Sequence, residues 1–549
     1  MSWCFRAVKF QVNDYPGGGG YRTGYNDAMA KSRRAFLTGA SALMATAAAC
    51  NEAKQKARTD VPPVGAPPAF GTSPEVGPPV STVTFAEAEK LVQFELKPDE
   101  RQQAADSWRK TMAPLYERRT GPRKFEPDAS AAPATLWNPM LPGLHTMPGR
   151  DRFVRSETDS GPLPANDADI AYASLAQLSR WIESRKLTSE RLTHIYLDRI
   201  DRFDSKLRCI ITLTRNQALE KAKKADAEIA AGKYRGPLHG VPFGVKDLLD
   251  TAGIVTTWGA EPYRNRVPQQ DSAVVKRLYD AGAVLIAKLS LGALALNDIW
   301  FGGQTMNPWL LEEGASGSSA GPGAATAAGL VGFSIGSETG GSIVSPSMRC
   351  GVTGLRPTYG RVPRTGAMTL CWSLDKLGPM TRGVEDGMLV LQAISGPDAG
   401  DFASVPSRLD FDATAPVSGL RVGYFPGWMK EEPATDVDRA ALETIRKLGM
   451  STHEVSLPDW PYDSMQLILF AEAAAAFEEL TRSGGLRQML RQRSQTAGGD
   501  ADKVDALDLS ALPLTEQPGW LGGDLSGRRL LAPGRTNRSK DKKISQQCA

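Results

Sequence analysis

Residues 313–347 read EGASGSSAGPGAATAAGLVGFSIGSETGGSIVSPS, and the reading of this stretch decides the fold. Gly, Ala and Ser make up most of it, the composition of a flexible tether. A tether has no use for the apolar run GLVGFSIG or for the tight GGS that follows. A Gly/Ser-rich segment beside a buried strand instead lets backbone N–H groups approach a ligand with no side chain in the way. Two chemistries use such an approach. Phosphate cradling needs GxxxxGK[ST], or GxGxxG after a strand, and neither pattern is present. The other is an oxyanion hole. In SETGGS the N–H groups of Thr339, Gly340, Gly341 and Ser342 can point at one oxygen and stabilise the charge of a tetrahedral intermediate. Ser342 is then a nucleophile on a tight turn.

A serine nucleophile needs a base. Histidine is the usual one, and the chain has four. His145, His194 and His453 lie in segments with no other catalytic feature. His239, in GPLHGVPFGVKD, is read as structural. The same segment supplies a better candidate in Lys246, which follows the apolar strand VPFGV. A charge is costly there. Burial favours the neutral amine and lowers the pKa of lysine, which is what a lysine base requires.

The surroundings define the fold class. GVPFGVKDLLD, AVLIAKLS and VGFSIGSE are short apolar strands bounded by Gly, with helical patterns between them. That alternation predicts an α/β domain, a large sheet sandwiched by helices. Before it, Ser174 and Gln177 form a capping-box pattern ahead of LAQLSRWIES, and LTSERLTHIYLDRI and NQALEKAKKADAEIAAGK follow as helices. No repeat with a period of 20 to 50 residues stands out.

Lys246 in GVPFGVKD, Ser318 in SGSSAG and Ser342 in ETGGS together resemble the amidase signature family. The spacing between the two serines and the sequel GVTGLRPTYGRVPRTGAMTLCWSLDKLGPMTRGVEDGMLVLQAI fit the same family, and the resemblance runs from about residue 172 to about 480. It implies a large mixed β-sheet core and a Ser–cis-Ser–Lys triad. In that triad Ser342 attacks a carbonyl carbon and forms an acyl-enzyme. Ser318, with its peptide bond cis, relays the proton to Lys246, the ultimate base. Ser319 is a supporting hydroxyl, and the small neighbours Gly317, Ala320 and Gly321 leave room for the loop. Two departures stand out. The family commonly has GGSIR where this chain has GGSIV, so Val344 removes an arginine whose ion pair is expected to brace the site. The family's acidic residue in GTDTGGS is here Glu338.

Composition excludes other classes. A net charge of +4 over 549 residues leaves no basic footprint for nucleic acid. Six scattered cysteines without CxxC spacing point to neither zinc nor a disulfide framework. No metal or organic cofactor is called for. Residues 31–50, KSRRAFLTGASALMATAAAC, have the charged head, short apolar body and small-residue end of a signal peptide, and SRRAFL resembles a twin-arginine export signal. The chain is therefore expected to be periplasmic or envelope-anchored, with Cys50 a lipid-acceptor candidate and Met29 a possible native start. A Pro/Gly-rich linker is expected over 51–83, and a helical arm over 84–171 opening with a Thr84/Glu87 capping box. The amidase signature domain follows over 172–484. The tail at 485–549 lacks an amphipathic pattern and reads as truncated or out of frame.

The functional expectation is hydrolysis of a carboxamide C–N bond, with a small-molecule amide as the partner. Three alternatives stand beside it: the glutamine-hydrolysing subunit of a tRNA amidotransferase, an ester or carbamate hydrolase, and a non-catalytic binding protein on an amidase scaffold. Trp258, Trp300 and Trp309 are assigned no role. Cys350 and Cys371 are read as small buried hydrophobes.

Overall fold

Three strands whose every residue is buried form the centre of the molecule: β2 (Pro242–Lys246), β3 (Val284–Leu289) and β4 (Phe333–Glu338). Near-continuous apolar strands of this kind belong inside a sheet covered on both faces. In the computed structural model they pair in parallel, with β2 between β3 and β4. Antiparallel strands flank them: β1 (Ile210–Leu213) on β3, and β6 (Lys376–Thr381) on β4, with the short β5 (Thr353–Gly354) on β6. The six-stranded sheet therefore runs β5-β6-β4-β2-β3-β1 and is mixed. Phe243 and Phe333 are register partners on β2 and β4, and their rings stack at 5.4 Å between centroids.

Helices cover the sheet. α1 (Leu175–Glu183) starts at Ser174, whose hydroxyl accepts the Gln177 N–H at 3.2 Å while the Gln177 side chain accepts the Ser174 N–H at 3.1 Å, the expected capping box. α2 (Ser189–Leu207) is capped by Thr188, and α3 (Arg215–Ala230) follows β1. α4 (Ala273–Asp280) and α5 (Ala320–Ala327) are the crossovers between the parallel strands. α5 reads AGPGAATA and is buried at every residue, because only small side chains allow a helix to lie this close to the sheet. α6 (Val344–Cys350) leads away from the GGS turn, and α7 (Val384–Ile394) follows β6.

The structure describes residues 75–92, 95–113, 150–156, 160–430, 436–457, 465–485 and 488–489. The leader at 1–50 with Cys50, residues 51–74 of the linker and the tail beyond 489 lie outside them. In the arm, helices span Thr82–Val92 and Pro98–Thr111, the second opening on a proline at its first position. The first begins two residues before the expected capping box, so Thr84 lies inside it; the Ser81 hydroxyl accepts the Thr84 N–H at 3.4 Å, and the Thr84 hydroxyl accepts the Ser81 N–H at 3.2 Å. The region 172–484, expected as one domain, divides between two compact units. The larger contains the six-stranded sheet. In the smaller, the described residues include strands Arg421–Tyr424 and Ser451–Glu454, paired in parallel, with helices Pro426–Lys430 and Asp436–Lys447 between them. Among the described residues no helix is long and apolar enough to cross a membrane.

Two glycines separate packing from site. A Cβ on Gly321 would meet the Ser290 backbone at 2.4 Å and 2.6 Å and the Cys209 carbonyl at 2.7 Å, whereas one on Gly340 would meet nothing within 4 Å. Gly321→Ala is therefore expected to cost about 1–3 kcal/mol or more, and Gly340→Ala less than about 0.5 kcal/mol. Thermal or urea unfolding of the two variants checks the contrast.

Candidate active site

Lys246 is the last residue of β2, and its side chain is fully buried. Nζ lies 2.8 Å from Ser318 Oγ, 3.1 Å from Ser319 Oγ and 2.8 Å from Ser337 Oγ. Among the described residues no carboxylate comes within ion-pair distance of it. Burial holds Lys246 well below the ordinary lysine value of 10.5, and the carboxylates of Asp375 and Glu338 oppose this without reversing it. Three hydroxyls can accept the three N–H bonds of an ammonium; for a neutral amine, which has two N–H donors and one lone pair, one of the three must donate instead. Ser319 Oγ already donates to the Ser337 carbonyl at 3.1 Å, so it must accept from Nζ. With a second N–H directed at Ser337, the lone pair faces the hydroxyl of Ser318.

The Gly317–Ser318 peptide bond is cis, as the resemblance implies. The loop that carries it is held from several sides. A Cβ on Gly317 would meet the Asn297 carbonyl at 1.7 Å, so only glycine fits there. Ser316 lies at φ +62°, its N–H donating to Asp298 Oδ2 at 3.2 Å and its hydroxyl 2.7 Å from that of Ser345. Ser319 is buried and satisfied on every side: its N–H donates to the Ser342 carbonyl at 3.1 Å, and its hydroxyl accepts the Ser337 N–H at 3.2 Å. That pattern makes Ser319 the tie between the serine loop, β4 and the GGS turn.

Ser342 follows Gly341, whose φ of +121° belongs to glycine, and among the described residues its hydroxyl makes no hydrogen bond. The side-chain face of both Gly340 and Gly341 is open, with nothing within 4 Å of an added Cβ. The N–H groups of Thr339, Gly340, Gly341 and Ser342 thus sit on a turn that a reacting group can approach. Glu338, the last residue of β4, is fully buried beneath that turn. Its Oε2 accepts the N–H groups of Ile343 and Val344 at 2.8 Å and 2.9 Å, and its Oε1 accepts from Arg356 at 2.9 Å. Val344 gives this carboxylate only its backbone N–H, and the ionic partner of Glu338 is Arg356, from another segment.

Asp375 fixes the other end of the turn. It accepts the Thr339 hydroxyl at 2.6 Å and the N–H groups of Leu370 and Cys371 at 2.8 Å and 2.9 Å. Sequence reading had no signal for Ser337, Arg356 or Asp375, because each acts through side-chain contacts with segments distant in sequence. His239 is buried away from these groups, accepting the Arg235 N–H at 3.1 Å and lying 3.3 Å from Glu228, which is structural work. Trp300 and Trp309 give their indole N–H groups to the carbonyls of Arg208 and Cys350, and Trp258 packs on Tyr263. None of the three lines the cavity of about 260 Å³ that opens beside Ser337 and Thr339. Cys350 and Cys371 are buried, with burial pushing both thiols up to about 12.

Residues 191–503, more than half of the chain, match the family model described as Amidase. The chain belongs to the amidase family. A glutamyl-tRNA(Gln) amidotransferase subunit from Moorella thermoacetica is 40% identical over 335 residues, 59% of this chain and 68% of that protein. The chain thus spans about two thirds of that relative's length. Among solved structures, the peptide amidase from Stenotrophomonas maltophilia is 31% identical at a TM-score of 0.55, covering 63% of this chain and 77% of its own. An amidase family protein from Bacillus anthracis is 27% identical at a TM-score of 0.52, covering 59% and 68%. The chain accordingly has the amidase signature fold and belongs to an enzyme family that hydrolyses C–N bonds.

Glu338→Gln keeps the shape of the brace and removes its charge. It is expected to cost about 2 kcal/mol, since hydrogen bonds to a buried carboxylate are the strong ones and Arg356 loses its partner. Differential scanning calorimetry at neutral pH measures the loss, and an unchanged melting temperature contradicts the brace.

Proposed function

We propose that the chain hydrolyses a carboxamide through an acyl-enzyme on Ser342, with Ser318 passing the proton to Lys246. The observation that carries this reading is the uncompensated burial of Lys246 at 2.8 Å from Ser318 Oγ, on a loop tied to the Ser342 carbonyl. In the first step Ser342 Oγ bonds to the amide carbon. Its proton moves to Ser318 as the Ser318 proton moves to Lys246. The carbonyl oxygen becomes an oxyanion facing the N–H groups of the 339–342 turn. The C–N bond then breaks, and the proton returns through Ser318 to the leaving nitrogen. Water attacks the ester by the same route and releases the acid. Ser319 and Ser337 hold the lysine, while Glu338 and Asp375 hold the turn.

A second reading, the glutamine-hydrolysing subunit of a tRNA amidotransferase, is favoured by the 40% identity to the Moorella protein. A glutaminase assay with and without partner subunits separates the two. Export by the signal-like segment at 31–50 belongs to the first reading, with the enzyme in the periplasm or anchored to the envelope. Fractionation of cells expressing the full chain tests that placement.

Intact-mass labelling with a fluorophosphonate tests the chemistry. One adduct on Ser342 is expected, absent in Ser342→Ala and formed at least about 100-fold more slowly in Lys246→Ala. Because only the neutral amine accepts a proton, the labelling rate should rise with pH and level off below the 10.5 of free lysine. An adduct elsewhere, or a rate that is flat or falls with pH, contradicts the proposal.

A further inference from the structure

The cavity beside Ser337 and Thr339 has a charge arrangement that bears on the choice of substrate. Among the described residues three ionisable side chains line it: Arg364, Asp401 and Asp375. The arginine is already committed. Its Nε donates to Asp401 Oδ2 and its Nη2 to Oδ1, both at 3.0 Å, and its backbone N–H donates to Oδ2 at 2.8 Å. Nη1 donates to the Trp372 carbonyl, and the guanidinium lies 4.9 Å from the centre of the Tyr359 ring. Lys376, next to Asp375 in sequence, is not on the wall and gives its ammonium to the Leu374 carbonyl. Lys246 counts as uncharged. With Asp375 ionised the lining carries one net negative charge; with Asp375 protonated it carries none. In neither state is there a positive excess.

A substrate carboxylate entering this space would lose its water and gain no unpaired cation, which is the costly case for a buried charge. An alkyl group would meet Met368, Leu370 and Trp372, which supply apolar wall. An ammonium group would meet the acids. For a primary carboxamide on Ser342 the leaving group is ammonia, so any part of the substrate that extends past Thr339 into the cavity belongs to the acyl portion. We infer that the cavity selects amides whose acyl portion is uncharged or cationic and rejects those carrying a free carboxylate. This rests on the proposed reading of Ser342 as the acylated residue, and it bears on the glutamine alternative, whose substrate carries a carboxylate beside an ammonium group.

Three compounds of equal chain length isolate the charge: pentanamide, 5-aminopentanamide and glutaramate. Each is used to protect Ser342 of the full chain from fluorophosphonate labelling, and the concentration for half-protection is read by intact mass. Pentanamide and 5-aminopentanamide are expected to protect at concentrations on the order of tenfold or more below glutaramate. Asp401→Asn frees Arg364, so the glutaramate-to-pentanamide ratio should fall on the order of tenfold, and continued labelling of Ser342 shows that the variant is folded. Protection by glutaramate equal to or better than that by pentanamide overturns the inference. So does the absence of protection by all three, or an unchanged ratio in a labelled Asp401→Asn. The wild-type comparison stands even if that variant does not fold. Absence of labelling on Ser342 in the wild type is a different result, which removes the acyl-enzyme reading and this inference with it.

Discussion

The site depends on one unpaired lysine. Lys246 and Lys288 are both fully buried, on neighbouring parallel strands, and their surroundings differ. Lys288 sits 3.0 Å from the buried carboxylate of Asp247 and donates to the Leu249 carbonyl at 2.9 Å, a counter-charge that offsets part of the lowering that burial imposes on it. Among the described residues Lys246 is given three hydroxyls and no carboxylate. A buried ammonium without a counter-charge is expensive, and releasing the proton is the cheaper outcome. The same burial that penalises the charge creates the base. The nearby acids, Glu338 and Asp375, favour the ammonium without reversing the effect of burial; Glu338 is paired with Arg356, and Asp375 is held by three uncharged hydrogen-bond donors.

Close approach is the second constraint, and it explains the composition of the 313–347 stretch. Gly321 lies against the Ser290 backbone, Gly317 against the Asn297 carbonyl, and a Cβ on Gly336 would meet Ser319 Oγ at 2.8 Å and Met380 Sδ at 2.9 Å. The small residues let a helix, a strand and a loop share one small volume. Gly340 and Gly341 differ in kind. Their open faces look toward the approach path, so their smallness serves access as well as packing.

Much of this was legible in the residues. The apolar strand ending in Lys246, the buried run GLVGFSIG and the turn at Ser342 are local patterns, and the structure places them at the carboxyl ends of parallel strands, where α/β sheets bind their ligands. Ser318 was legible only through family resemblance, since nothing in SGSSAG by itself distinguishes one serine from the next. Ser337, Asp375 and Arg356 were not legible at all. Their roles come from pairing Lys376 with Glu338 across two strands and from the fold of the chain back over the turn. The pairing of Glu338 with Arg356 was hidden for the same reason: a brace can be supplied from any segment that reaches the carboxylate. The division at residue 417 left no composition shift strong enough to announce it.

The ionisation of Lys246 is the claim on which the chemistry turns, and nitrogen NMR of the folded enzyme measures it most directly. With 15N-lysine labelling and Lys246→Met to assign the resonance, the Nζ shift of Lys246 should move to that of a neutral amine at a pH well below the 10.5 of free lysine. Titration at or above that value would mean that Lys246 is an ammonium throughout the working range, and the account of the base would be wrong.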